Sequence, residues 1–156
     1  MGQSTYKFDF RLRVDSSTLV GPHYFGLAPG PYDRTTYEGK HRRPGSRFID
    51  EFTFCLFEGI FERYVPAYDH FACVEVTRSQ WKLILRDLVT LRTVLSQIRV
   101  PATVALPYGT TLRPYLQEFE QNWAANQREL ASLLFNLEQW LNETLTLHEV
   151  VSVLGL

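Results

Sequence analysis

The sequence predicts an α+β domain: a small, mainly antiparallel sheet packed on one face by a buried helix, an amphipathic helix and a long C-terminal helix. Three observations lead there. Residues 6–14 alternate strictly, with Tyr6, Phe8, Phe10, Leu12 and Val14 on one side and Lys7, Asp9, Arg11 and Arg13 on the other. That is the pattern of a half-buried strand. Trp81, Ile84, Leu85, Leu88, Leu91, Leu95 and Ile98 recur at threes and fours, as on a helix with one apolar face. From Pro114 to about 145 a second helical stripe runs through Leu116, Phe119, Trp123, Leu130, Leu133, Leu137 and Leu141. At 156 residues, with no low-complexity tract or long linker, the chain reads as a single domain over 1–156.

The charged side of 6–14 predicts a sheet whose second face meets water. Residues 15–47 are broken by Gly21-Pro22, Pro29-Gly30-Pro31, Gly39 and Pro44-Gly45, so only short strands fit there, at 23–25 and 35–37. Residues 47–64 read as a helix that is apolar nearly all round, as expected of a central element. Asp50 and Glu51 lie in its first turn, where the helix dipole favours negative charge, and Pro66 stops it. A strand over 52–57 is the alternative. Residues 71–76 form a strand, and Thr77-Arg78-Ser79-Gln80 is a capping box that starts the helix at 78. Lys82, Arg86 and Thr93 face outward from it, and Pro101 closes the segment. After a linker at 102–112, Pro114 suits the first turn of the long helix. Asn126 and Gln127 interrupt its apolar side and mark a place for a bend or break. The tail, 148–156, fits either a last helical turn or a docked strand.

Composition narrows the function. Hydrophobic residues are 45% and charged residues 21%, which gives a folded, soluble chain. A net charge of −1 disfavours a general nucleic-acid binder, and no apolar run approaches the ~20 residues of a membrane span. The first residues carry Lys7, Asp9, Arg11 and Arg13 where a secretory signal needs an apolar stretch, so the expected location is the cytoplasm. Cys55 and Cys73, each among apolar neighbours, are expected as buried free thiols.

No phosphate-binding glycine loop, nucleophile elbow or metalloprotease motif occurs. None of His23, His41, His70 and His148 stands at the spacing of a helical metal pair, so neither metal nor cofactor is expected. In Tyr68-Asp69-His70, adjacent residues on an extended segment point to opposite sides, so Asp69 is poorly placed to orient His70. The simpler reading is a turn after Pro66 that leaves His70 partly buried. Glu58 and Glu62, four apart on a helix, read as a solvated strip.

Charge is unevenly laid out. Residues 1–47 carry +4, residues 48–99 carry −1 and residues 100–156 carry −4. One-signed blocks steer association. The candidate partner-binding residues are therefore Glu118, Glu129 and Glu143 on the outer stripe of the last helix, with Glu120 at its edge. Arg42 and Arg43 in the basic loop 40–47 are the alternative surface. Tyr24, Phe25, Tyr32, Tyr37 and Tyr108 lie in turn-rich segments, where they are either interface anchors or lids folded onto the sheet.

The stretch from Phe57 to Phe71, FEGIFERYVPAYDHF, followed by a strand and Thr77-Arg78-Ser79-Gln80-Trp81, resembles small bacterial immunity proteins encoded beside polymorphic toxins, including those of contact-dependent growth inhibition. The similarity spans residues 48–98. It implies a cytoplasmic, non-catalytic inhibitor that binds a cognate protein toxin domain, such as a basic nuclease, and occludes its active site. The alternatives are a small enzyme using His23 or His70 with nearby carboxylates, and an adaptor subunit docked through residues 150–156.

Overall fold

A computed structural model of the chain describes residues 8–14, 23–32, 44–97, 106–110 and 116–155. The elements in order are β1 (Tyr24–Pro29), β2 (Arg47–Asp50), α1 (Glu51–Cys55), α2 (Glu58–Tyr64), β3 (Cys73–Thr77), α3 (Arg78–Gln97), α4 (Leu116–Gln121), α5 (Trp123–Leu147) and β4 (Val150–Leu154). The strands form one sheet in the order β2-β1-β4-β3, and every neighbouring pair is antiparallel. The tail is thus a docked strand, and it lies at the centre of the sheet. The expected α+β class, with helices packed on an antiparallel sheet and a long C-terminal helix, is what the chain adopts.

Register explains which side chains make the core. Phe25 lies opposite Ile49, Leu27 opposite Val153, Val153 opposite Val74, and Val151 opposite Val76. Successive strand residues point to opposite faces, so these seven side chains share one face. All are buried, together with Trp81, Ile84, Leu88, Leu91 and Leu95 of α3 and Leu130, Leu133, Leu137 and Leu141 of α5. α3 and α5 pack on one another as well as joining this core. The Trp81 indole N–H donates to the Val151 carbonyl at 3.1 Å, pinning α3 to the central strand. The opposite sheet face is solvated only in part. Glu75 and Thr77 are exposed at the β3 edge, whereas Gly26, Phe48, Ser152 and Leu154 on that face are buried.

The alternating segment at the N-terminus does not become a sheet strand within its described part, residues 8–14. It makes one bridge, with Arg13 and Phe48 exchanging backbone hydrogen bonds of 3.0 and 2.9 Å. The cause is Asp9. Its carboxylate accepts from the Arg11 backbone N–H at 3.0 Å, Arg13 Nε at 2.9 Å and the Tyr24 hydroxyl at 2.8 Å. An Asx turn of this kind competes with ladder pairing. Phe8, Phe10 and Leu12 still pack on the core, but Val14 is 65% exposed and Asp9 and Arg13 are half-buried, so the alternation holds for core packing only over 8–12 and fails for pairing.

The helix expected over 47–64 is three elements. Arg47–Asp50 joins the sheet, and Asp50 then caps α1, its carboxylate accepting from the Thr53 N–H at 3.2 Å and hydroxyl at 2.9 Å. The chain turns at Leu56-Phe57 before α2, which ends at Tyr64 with Val65 extended ahead of Pro66. Residues 52–57 are not a strand. The capping box does form. Gln80 Oε1 accepts from the Thr77 N–H at 2.9 Å, and Thr77 Oγ1 accepts from the Gln80 N–H at 3.3 Å.

The long C-terminal helix breaks at Asn122, whose φ of −124° and ψ of 52° lie outside the helical region. The break therefore precedes the apolar interruption at Asn126 and Gln127. Asn126 nevertheless supports it, because its side-chain amide donates to the Phe119 carbonyl at 3.0 Å, satisfying a group at the end of α4. Phe119 and Trp123 stay buried on either side, their rings in edge contact at 5.5 Å.

Leu88 is fully buried on the inner face of α3. Leu88→Ala should cost about 2–5 kcal/mol in a denaturant titration. A loss below about 0.5 kcal/mol would mean that the stripe faces solvent.

Candidate functional site

The candidate catalytic histidine sits in a closed cluster. Asp50 caps α1, which places Glu51 in that helix's first turn, and Glu58 occupies the first turn of α2. The turn after α2 carries His70 between them. His70 Nδ1 lies 2.7 Å from Glu58 Oε1, and Nε2 lies 2.7 Å from Glu51 Oε2. The Tyr68 hydroxyl donates to the same Glu58 oxygen at 2.8 Å. Side-chain exposure is 3% for His70, 9% for Glu51 and 0% for Glu58. The Phe25 ring meets the imidazole edge-on at 5.0 Å and stacks on Phe54 at 4.3 Å.

Both ring nitrogens face carboxylate oxygens, so both serve as donors when the ring is an imidazolium. Burial alone pushes the imidazole's pKa down. The hydrogen bonds and charges of Glu58 and Glu51 outweigh it, and the net shift is upward from 6.5. Burial raises the Tyr68 phenol, and the Glu58 charge and hydrogen bond raise it further, so it remains a donor. The same two influences, burial and Glu58, push the Cys55 thiol up, and it stays a thiol. A ring with both nitrogens committed has no lone pair with which to take a proton from a substrate. Nor does it offer one to a metal; among the described residues, no group of three or more His, Cys, Asp or Glu side chains is arranged to hold an ion.

Three expectations are corrected here. Glu58 is not part of a solvated strip: it is fully buried, and only Glu62 is exposed. His70 is buried rather than partly so, at 4% exposure. Phe25 is a core ring, not a loop anchor. His23 is exposed, with its Nδ1 3.8 Å from Glu51 Oε1 at the edge of the cluster. Asp69, as expected, does not orient His70; it accepts from the Phe71 N–H at 2.8 Å. Cys55 is buried as expected, Cys73 is only half-buried, and no disulfide joins the two.

A strap of backbone covers Glu58. Gly109 N–H donates to the Cys55 carbonyl at 2.7 Å, and Gly59 N–H donates to the Pro107 carbonyl at 2.8 Å. A Cβ on Gly109 would sit 2.5 Å from Glu58 Oε2, so this position admits only glycine without displacement. Tyr108, beside it, packs partly buried against the core rather than standing free.

The acidic candidates lie elsewhere. Glu120, Glu129 and Glu143 are exposed, and Glu118 is half-buried. Glu118 and Glu129 meet across the helix break with Asn122 and Asn126, lining an open groove of about 620 Å³ whose other wall is Asp9, Arg11 and Arg13. Burial lowers the Arg47 guanidinium, and the negative charge of Glu143 works against that shift, so Glu143 reaches a different part of the surface. The structure thus gathers Glu118 and Glu129 and leaves Glu143 apart. Arg42, Arg43 and Tyr37 lie outside the described residues. No helix among the described residues is long and apolar enough to cross a membrane.

Compared with protein-family models, curated proteins and solved structures, the chain has no match.

Because the folded pKa of His70 is raised, its stabilising contribution is complete below about 6.5 and is lost as pH rises through the folded value. Urea unfolding across that range should show wild type losing stability relative to His70→Gln as pH rises; parallel curves would contradict this. At neutral pH, His70→Ala leaves two buried carboxylates without their cation and should cost about 3–5 kcal/mol.

Proposed function

We propose that the chain is a non-catalytic, immunity-type protein of the cytoplasm that binds a cognate protein toxin domain, with a basic nuclease the chemistry its surface suits best. The observation that carries the reading is the outer face of α5. Glu129, Ser132, Asn136, Gln139 and Glu143 recur at threes and fours and are all exposed. A rigid helix of 25 residues therefore offers one polar, acidic face over most of its length. Phe135, 49% exposed on the same side, adds an apolar contact. The groove lined by Glu118 and Glu129 extends that face beyond the helix break. Support also comes from the placement of His70, whose two ring nitrogens both face buried carboxylates. The resemblance of residues 48–98 to immunity proteins points the same way.

The test is co-expression with the product of the neighbouring gene, followed by association kinetics on the purified pair. Wild type should protect cells. The double reversal Glu129→Lys, Glu143→Lys should slow association about tenfold at low salt, with the effect shrinking as salt rises. Folding should change by no more than about 0.5 kcal/mol per site. Unchanged association after reversal, with loss on changing Arg42 and Arg43, would move the interface to the basic loop and make the partner acidic. Turnover of a substrate that His70→Ala abolishes would overturn the binding reading altogether.

A further inference from the structure

We propose that the cavity walled by Glu58, Tyr68 and His70 is a binding site for an organic cation, a guanidinium or ammonium group. The cavity measures about 410 Å³ and continues outward past Glu62, Asp69, Phe71 and Thr110. Its inner wall is the histidine cluster, in which two carboxylates share one imidazolium. The cluster therefore sets two carboxyl groups against one imidazole. Among the described residues, the ionic contacts of Glu51 and Glu58 are with His70 and His23 alone.

The second observation is Glu58 itself. Its side chain is fully buried, yet Oε2 has no hydrogen-bond partner. Buried carboxylate oxygens are normally paired, because losing water without a replacement is costly. Oε2 lies where the strap passes as glycine, and any side chain at 109 would occupy the space against it. The fold thus keeps an acceptor bare beside a cavity.

The rest of the wall suits the same class of ligand. Glu62 and Asp69 at the mouth are exposed and acidic, which repels anions and draws cations in. The Phe71 ring is 62% exposed and stands in edge contact with His70 at 4.8 Å. With Tyr68 it gives the aromatic surface on which a guanidinium or alkylammonium packs. A bare metal ion fits poorly, since the imidazole nitrogens are committed to the carboxylates. A free polyamine and an arginine side chain of a protein partner share the required chemistry. The site has no residue in common with the acidic face of α5, so it stands or falls apart from the toxin-binding reading.

Calorimetric titration of the full chain at low salt tests this with three probes: methylguanidinium, spermidine and the peptide acetyl-Gly-Arg-Gly-amide. Saturable one-to-one binding is expected, at least about tenfold weaker in Glu58→Gln and weaker again at higher salt. Asp69→Asn and Phe71→Ala, both at exposed positions, should also weaken it, and they decide the matter if Glu58→Gln fails to fold. Tighter binding of the peptide supports the site and assigns it to a polypeptide side chain; tighter binding of spermidine supports it and assigns it to a free amine. Absence of saturable binding by all three probes, or binding untouched by every folded variant, overturns the proposal.

Discussion

One imidazolium held between two carboxylates organises the first half of this molecule. Glu51 belongs to α1, Glu58 to α2, and His70 to the turn that leads into β3. Their two contacts of 2.7 Å tie three successive pieces of chain to one point. Removing His70 leaves two nearly buried carboxylates without their shared partner, and that penalty is larger than the pair's net gain. The clasp therefore works less as a source of stability than as a constraint on alternatives. It ties together the first turns of α1 and α2 and sets which side of the later turn faces inward.

Much of the surrounding packing follows from that constraint. Phe25 of β1 lies edge-on to the imidazole and flat against Phe54 of α1, so the sheet and the two short helices meet around the ring. Phe61 continues the aromatic cluster to Trp81, which reaches the central strand through its indole N–H. The strap at 106–110 closes over Glu58 with two backbone hydrogen bonds and passes as glycine at the one point where a side chain would strike the carboxylate. A histidine used in this way has both ring nitrogens committed to carboxylates. The outer face of α5 and the groove at the α4–α5 break lie away from the clasp.

How much of this was legible in the sequence depended on how local the physics was. α3 and its capping box were read to within a residue, because periodicity and the Thr77–Gln80 exchange are both encoded within a few positions. The break in the C-terminal helix was legible in kind, since Asn126 has too polar a side chain for an apolar stripe. Its position was not, because the amide acts on a carbonyl seven residues earlier. The segment at 8–14 misled because alternation is silent about which backbone groups pair, and Asp9 and Arg13 turn inward while Val14 is exposed. The clasp was missed for a different reason: carboxylates from two helices and a histidine from a turn converge only in three dimensions. A signal was present in Glu51 and Glu58, two acids seven apart within an otherwise apolar run. Buried acids demand a cation, and the sequence does not say which of His23, Arg47, Arg63 and His70 supplies it. The acidic candidates were chosen by stripe, and the stripe is exposed as drawn for Glu129 and Glu143. Only the fold could show that Glu118 turns into a groove instead.

The account rests on His70 being a buried imidazolium at neutral pH, and nitrogen-15 NMR of the histidine rings measures that directly. The prediction is that His70 shows two protonated ring nitrogens at pH 7 and titrates above the ordinary value of 6.5. A neutral His70 at pH 7, with one unprotonated nitrogen and a pKa at or below 6.5, would contradict the central claim.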